Sequence, residues 1–134
     1  MSQRTSHIRQ TNIILFVRDQ EVSTRFYESI LRKCPDLEVP GMTEFHLSPA
    51  CTLGLMPGTG IARLLAGKIP HPDQGHGIPR CELYLYVDDV GLEFAHALDC
   101  GAIPVSQPEK RNWGDTAGYF VDPDGHLIAF AQKP

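Results

Sequence analysis

"ELYLYVDDVGLEFAHALDCG", residues 82–101, decides the fold because the chain has already spelled the same pattern once, as "NIILFVRDQEVSTRFYESIL", residues 12–31. With Asn12 laid on Glu82, residues Ile13, Leu15, Val17 and Asp19 fall on Leu83, Leu85, Val87 and Asp89. Each block opens with β-branched, aromatic and aliphatic residues, the composition of a buried strand. Each then reaches an Asp able to cap a helix by accepting the free amide hydrogens of its first turn. Val22, Phe26 and Ile30 recur every four residues, as do Val90, Phe94 and Leu98, so each helix is expected to bury one apolar stripe. Gly101 is suited to end the second helix in a left-handed conformation, and Pro35 blocks continuation of the first.

Shorter strand-like runs follow each helix. In the first half they fall at 36–40, 43–47 and 51–56, and in the second at 102–106, 116–121 and 126–131. Both halves therefore read as strand, helix and three strands, a βαβββ module. Chance can place two strand–helix units in a short chain, but matched Asp positions followed by matched strand runs argue for duplication. Module 1 is expected over about 11–57 and module 2 over about 81–132, within a single domain spanning 1–134. The linker at about 58–80 is rich in Gly and Pro. Within it "IARLLAG" suits a helical turn or two, "PGTG" a turn, and "IPHPDQGHGIP" a surface loop.

At 134 residues, 42% hydrophobic and 21% charged, the chain can build one real core. A net charge of −4 with scattered Lys and Arg argues against a nucleic-acid partner. No apolar run is long enough to span a bilayer, and the polar start "MSQRTSHIRQTN" lacks the centre of a secretory signal, so the cytoplasm is the expected compartment. Cys34, Cys51, Cys81 and Cys100 show no C-x-x-C pairing and sit among apolar neighbours, which predicts buried free thiols. No phosphate loop, dinucleotide fingerprint or G-x-S-x-G elbow is present.

The second half closes on "WGDTAGYFVDPDGHLIAF", residues 113–130, where Pro123 presets φ and Gly125 admits the positive φ of a hairpin exit. A duplicated βαβββ module ending in this hairpin resembles the vicinal oxygen chelate superfamily, which includes glyoxalase I, bleomycin-resistance proteins, fosfomycin-resistance proteins and extradiol dioxygenases. The resemblance covers about Asn12 to Gln132, and Trp113-Gly114 with Asp122-Pro123-Asp124-Gly125 is its most specific part. It implies an α+β fold in which two modules form a curled half-open barrel around a ligand cavity. It also implies a homodimer with pockets near the subunit contact.

The resemblance places the metal ligands of metal-dependent members at Asn12, Gly54, Glu82 and Ala129. Only Glu82 is a conventional ligand; Asn12 is a weak one, and Gly54 and Ala129 have no side-chain donor. No metal or other cofactor is therefore expected, with a divalent ion held by Asn12, Glu82 and His46 as the alternative. A shift of one residue in strand register would bring His46 and His126 into question. His71 and His76 fall in the long loop, and His7 and His96 read as surface residues.

The expected pocket draws on Asn12, His46, Gly54, Met56, Glu82, Tyr84, Trp113 and Ala129. Glu82, if walled in by Tyr84, Tyr86 or Trp113, is the candidate acid or base. Trp113 reads first as a core residue packed on the hairpin, and Arg111 as an exposed cation. The functional expectation is a metal-free protein that sequesters an aromatic or cationic small molecule. The alternative is a metal-dependent lyase, isomerase or dioxygenase with non-standard ligands.

Overall fold

The computed structural model describes residues 6–134; the first residues of the polar N-terminal segment lie outside them. Module 1 runs β1 (Thr11–Val17), α1 (Gln20–Leu31), β2 (Leu37–Val39), β3 (Met42–Ser48) and β4 (Cys51–Pro57). The linker holds α2 (Gly58–Leu64) and a 3-10 turn (Pro72–Gly75). Module 2 runs β5 (Glu82–Tyr86), α3 (Val90–Asp99), β6 (Ile103–Lys110), β7 (Thr116–Val121) and β8 (Leu127–Gln132). Each module folds its strands into one mixed sheet, ordered β1-β4-β3-β2 and β5-β8-β7-β6. The first strand of each pairs in parallel with the last, and the helix makes the crossover that parallel pairing requires.

The caps predicted from sequence are present. The Asp19 carboxylate accepts from the Val22 amide, and Asp89 does the same for Leu92. Gly101, at φ +102°, follows α3. α1 ends earlier than Pro35 demands, with Arg32 left-handed at φ 57°. "PGTG", read as a turn, instead opens α2, with Gly58 buried.

One apolar cluster takes in residues of both modules: Leu15, Phe45, Leu53 and Leu55 from the first sheet, Leu83, Phe120, Ile128 and Phe130 from the second, and Phe26, Ile30 and Phe94 from the helices. Its members are the helix-facing side chains of each strand, so the opposite face of each sheet points away from the common core. The two sheets do not close on one another into a barrel within the chain.

Two expectations about burial fail. Val22 is 52% exposed, whereas Ser23, Thr24, Phe26, Tyr27 and Ile30 are buried. The helix is rotated toward β3, where the hydroxyls of Thr24 and Thr43 meet at 2.8 Å and Gln20 also donates to Thr43. The cysteines are free but not buried: Cys34 and Cys81 are exposed, and Cys51 and Cys100 are half-buried. They stand in turns or at element ends rather than at core positions.

The DPDG turn joins the modules as well as two strands. Asp122 is 2% exposed, and its Oδ1 accepts from the amides of Asp124 (2.9 Å) and His126 (2.8 Å). Its Oδ2 accepts from the Tyr27 hydroxyl of α1 at 2.6 Å. Burial, reinforced by the Asp122 charge, pushes the Tyr27 phenol well above its ordinary pKa. The Arg18 amide donates to Asp124, and the His126 imidazole donates to the Phe16 carbonyl, so β1 is tied to the same turn. Gly125 adopts φ +89°, and a Cβ there would stand 2.7 Å from the Gly77 carbonyl of the linker; the close approach requires glycine.

Candidate functional site

β5 is spelled "ELYLY", and strand alternation sends Leu83 and Leu85 toward the core and Glu82, Tyr84 and Tyr86 to the outer face. On β8 and β7 the same face carries Ala129 and Tyr119 directly across from Tyr84, with Ala131 and Ala117 across from Tyr86. Small residues between large ones leave room for the tyrosine rings to lie over the sheet.

The loop from β6 to β7 completes this face. Gly114, at φ +100°, allows a tight turn in which its amide bonds to the Arg111 carbonyl and the Arg111 amide bonds to Asp115. The turn directs the Asp115 carboxylate beneath the aromatic residues, where it is only 4% exposed. Its Oδ2 accepts from the hydroxyls of both Tyr84 and Tyr86 at 2.8 Å. The Trp113 indole donates in turn to the Tyr84 hydroxyl at 2.8 Å. Tyr84 and Tyr86 meet edge to face at 5.4 Å, and Trp113 lies tilted at 6.5 Å from Tyr84.

These bonds set the electrostatics. The Tyr86 hydroxyl leads in holding Asp115 below the usual carboxylate range, against the opposing effect of burial. Burial raises the Tyr84 and Tyr119 phenols, and the Glu82 charge adds to the effect on Tyr119. At neutral pH the face therefore presents the neutral Tyr84 and Tyr119 phenols around an ionised Asp115 carboxylate whose Oδ2 accepts two hydroxyl bonds. Lys133 places its ammonium 4.2 Å from the Tyr86 ring centre, and Arg111 lies 5.1 Å from that of Tyr119. The Arg111 guanidinium donates to Ser106 and to the Gln107 and Ala117 carbonyls; it is half-buried rather than the exposed cation expected.

The outer face of the first sheet is built differently. Asn12, Thr52 and His46 lie across from one another, as do Ile14, Gly54 and Glu44, and Met56 stands beside Phe16. A Cβ on Gly54 would lie 3.1 Å from Ile14 Cγ1 and 3.2 Å from Met42 Sδ, so neighbouring apolar side chains already occupy the space in front of it. The Asn12 side-chain oxygen accepts from Gln10, and His46 is exposed beside Asp36 at 3.6 Å.

The eight expected pocket residues thus divide. Asn12, His46, Gly54 and Met56 lie on the first sheet; Glu82, Tyr84, Trp113 and Ala129 belong to the second module, the outer faces being separated by the shared core. Tyr84, Trp113 and Ala129 form one local group. Glu82 is exposed at the start of β5, without the enclosure imagined for it. Trp113, read as a core residue, is 58% exposed. His126 and His96 are half-buried and bonded to the Phe16 and Ser29 carbonyls.

Sequence reasoning missed Asp115, which anchors the group, and gave no weight to Lys133 or Tyr119. The available signal was the Gly-Asp after Trp113 together with tyrosines two residues apart on β5.

Within one chain these residues do not converge on a divalent ion. Among the described residues no three His, Cys, Asp or Glu side chains converge. Gly54 is blocked by Ile14 and Met42, Ala129 has no donor, and Asn12 and Glu82 stand on different sheets. Among the described residues no helix is long and apolar enough to cross a membrane.

Comparison with known proteins agrees with this architecture. Residues 6–130 match the family model described as "Glyoxalase/Bleomycin resistance protein/Dioxygenase superfamily". An uncharacterised protein of Mycobacterium bovis is 35% identical over 72 residues, covering 54% of this chain and 47% of that protein. An uncharacterised Mycobacterium tuberculosis protein shows the same identity, with 42% of its length covered. The matched segment therefore spans about half the length of these curated relatives.

Among solved structures, a glyoxalase-related enzyme from Fulvimarina pelagi superposes with a TM-score of 0.78 at 20% identity, covering 92% of this chain and 86% of its own. A protein of unknown function from Agrobacterium tumefaciens gives 0.77 at 22% identity, covering 99% and 98%. At such identities the likeness is one of fold.

Proposed function

Because the chain belongs to the glyoxalase/bleomycin resistance protein/dioxygenase superfamily, we propose that it binds a planar aromatic small molecule, without a metal, on the outer face of its second sheet. One observation carries this reading: Trp113 is largely exposed, yet its indole is held by Tyr84, which Asp115 holds in turn. An exposed aromatic ring contributes little to a core. Fixing it beforehand instead reduces the ordering cost of stacking a flat guest. Tyr86, 52% exposed and bonded to the same carboxylate, extends the surface. Cations are less suited to this face, since Lys133 and Arg111 already lie over two of its rings.

The face is open within one chain, so enclosure of the guest calls for a cover. A second copy of the chain, forming a homodimer, is the proposed one. Exposed Ile14, Leu37 and Val39 on the first sheet supply apolar area that such contact would bury.

The test pairs calorimetric titration of 1-naphthoate and 1-naphthylmethylammonium with a thermal-shift series in Zn, Ni, Mn and Fe(II), using protein purified without chelators. Binding of 1-naphthoate, weakened at least tenfold in Trp113→Ala while 1-naphthylmethylammonium responds less, is the expected result. Stoichiometric metal after purification, or a metal-dependent thermal shift that Glu82→Ala removes, would overturn the metal-free reading in favour of a metal-dependent enzyme.

A further inference from the structure

The two modules meet through equivalent edges that are finished differently. By strand register, Asn12 with Thr52 corresponds to Glu82 with Leu127, so Cys51 holds in module 1 the place His126 holds in module 2. By the same register Pro49 stands for Asp124. At the β1 edge, His126 donates to the Phe16 carbonyl and Asp124 accepts from the Arg18 amide and guanidinium. The linker packs there too, with Gly58, Pro72 and Gly77 beside Phe16 and Arg18.

At the β5 edge the place of the His126 plug is taken by the short side chain of Cys51. A groove of about 730 Å³ remains between the end of α1, the β3–β4 turn and the edge of β5. That volume lies in the range of small-molecule sites.

The groove has a definite chemistry. Leu31, Leu47, Val87 and Leu92 form apolar walls. In a parallel ladder, consecutive residues turn their backbone groups to alternate sides, and the Val87 amide bonds to Ala131 of β8. The Tyr86 carbonyl therefore faces the groove, as its counterpart Phe16 faces His126. Asp88 replaces Arg18, so a carboxylate stands where the plugged edge carries a guanidinium. The other charges here are engaged: Arg32 pairs with Glu93, and Asp89 caps α3, but Asp88 has no ion-pair partner among the described residues.

We infer that this groove, which borders the aromatic face at Tyr84 and Tyr86 but does not include Trp113 or Asp115, is a second ligand site that takes a protonated amine bearing an apolar chain. The ammonium would donate to the Tyr86 carbonyl, as His126 does to Phe16, and pair with Asp88. The chain would lie along Leu31, Leu47 and Leu92.

Hexylammonium chloride is the probe, followed by amide chemical shifts in isotopically labelled full-length protein, with hexanoate as control. Hexylammonium should move the amides of Tyr86, Val87, Asp88 and Cys51 and leave those of Trp113 and Asp115 in place. Asp88→Asn should weaken it at least tenfold, and Cys51→His, which restores the plug, should remove it while 1-naphthoate binding at the aromatic face persists. Equal binding of hexanoate, unchanged affinity in Asp88→Asn, shifts confined to the Trp113 face, or no shift at all would each overturn the assignment.

Discussion

The β3–β4 and β7–β8 turns sit at matching places in two modules of the same element order, yet one is a plain connection and the other a junction. Pro49 and Ala50 are exposed and bond to no side chain. Asp122, by contrast, draws two amides of its own turn and a tyrosine of the other module onto one buried carboxylate. The contrast extends to the outer faces, one filled by Ile14 and Met42, the other carrying an ordered group of tyrosines and a tryptophan. Strand order and helix caps are shared between the halves; what differs lies where side chains leave the common core.

The largest predicted effect breaks the first contrast. Asp122→Ala leaves the Tyr27 hydroxyl and two amides without their acceptor, and is expected to cost about 3 kcal/mol or more in urea unfolding. Pro49→Ala, at the corresponding exposed turn, should stay within about 0.5 kcal/mol. Comparable costs would show that the turns are equivalent after all.

Tyr27→Phe removes one of those three bonds and should cost about 1–3 kcal/mol by the same measurement. It also carries a pH signature. The Tyr27 phenol is raised above its ordinary value of 10.0 in the fold. Its contribution is therefore complete below that ordinary value and is lost as pH rises toward the folded one. Stability of the parent protein should fall above about pH 10, and Tyr27→Phe should lessen that fall. An alkaline limb of the same steepness in both proteins would contradict the burial argument.

Much of this organisation was legible in the residues. The strand runs, the caps at Asp19 and Asp89, and the hairpin at Asp122–Gly125 depend on local chemistry, and local chemistry is written in adjacent positions. Val22 was misjudged because a period of four identifies an apolar stripe but not how far a neighbouring strand rotates it; Thr24 and Thr43 set that rotation. The cysteines were misjudged because apolar neighbours in sequence do not ensure burial in a turn. Asp115 was missed because its partners are remote in sequence, and only strand register brings Tyr84 and Tyr86 over it.

The outer faces differ next in what a methyl or two will do. Ala129 is fully buried between the strands that carry Tyr84 and Tyr119. Ala129→Leu should overpack that space, cost about 1–3 kcal/mol, and weaken 1-naphthoate at least tenfold in calorimetry. Gly54→Ala presses on Ile14 Cγ1 at 3.1 Å and Met42 Sδ at 3.2 Å, which need give only a few tenths of an ångström, so it should cost about 1 kcal/mol and leave probe binding unchanged. Loss of binding in Gly54→Ala alone would move the proposed site to the first sheet.

The smallest effect concerns Asp115 and is best read through Trp113, the chain's one tryptophan. Hydrogen bonds from Tyr86 and Tyr84 depress the Asp115 pKa below its ordinary 3.8 in the fold. The stabilisation that follows is present above that ordinary value and disappears as pH falls through the lower, folded value. Protonation removes the charge that orders both tyrosines, and with them the partner of the Trp113 indole. Trp113 emission should hold steady from neutral pH down to about 4 and change only below it, before or together with unfolding. In Asp115→Asn, where no carboxylate titrates, that acidic step should be absent from the folded protein. Its persistence there would assign the step to general acid unfolding and leave the aromatic face without its proposed anchor.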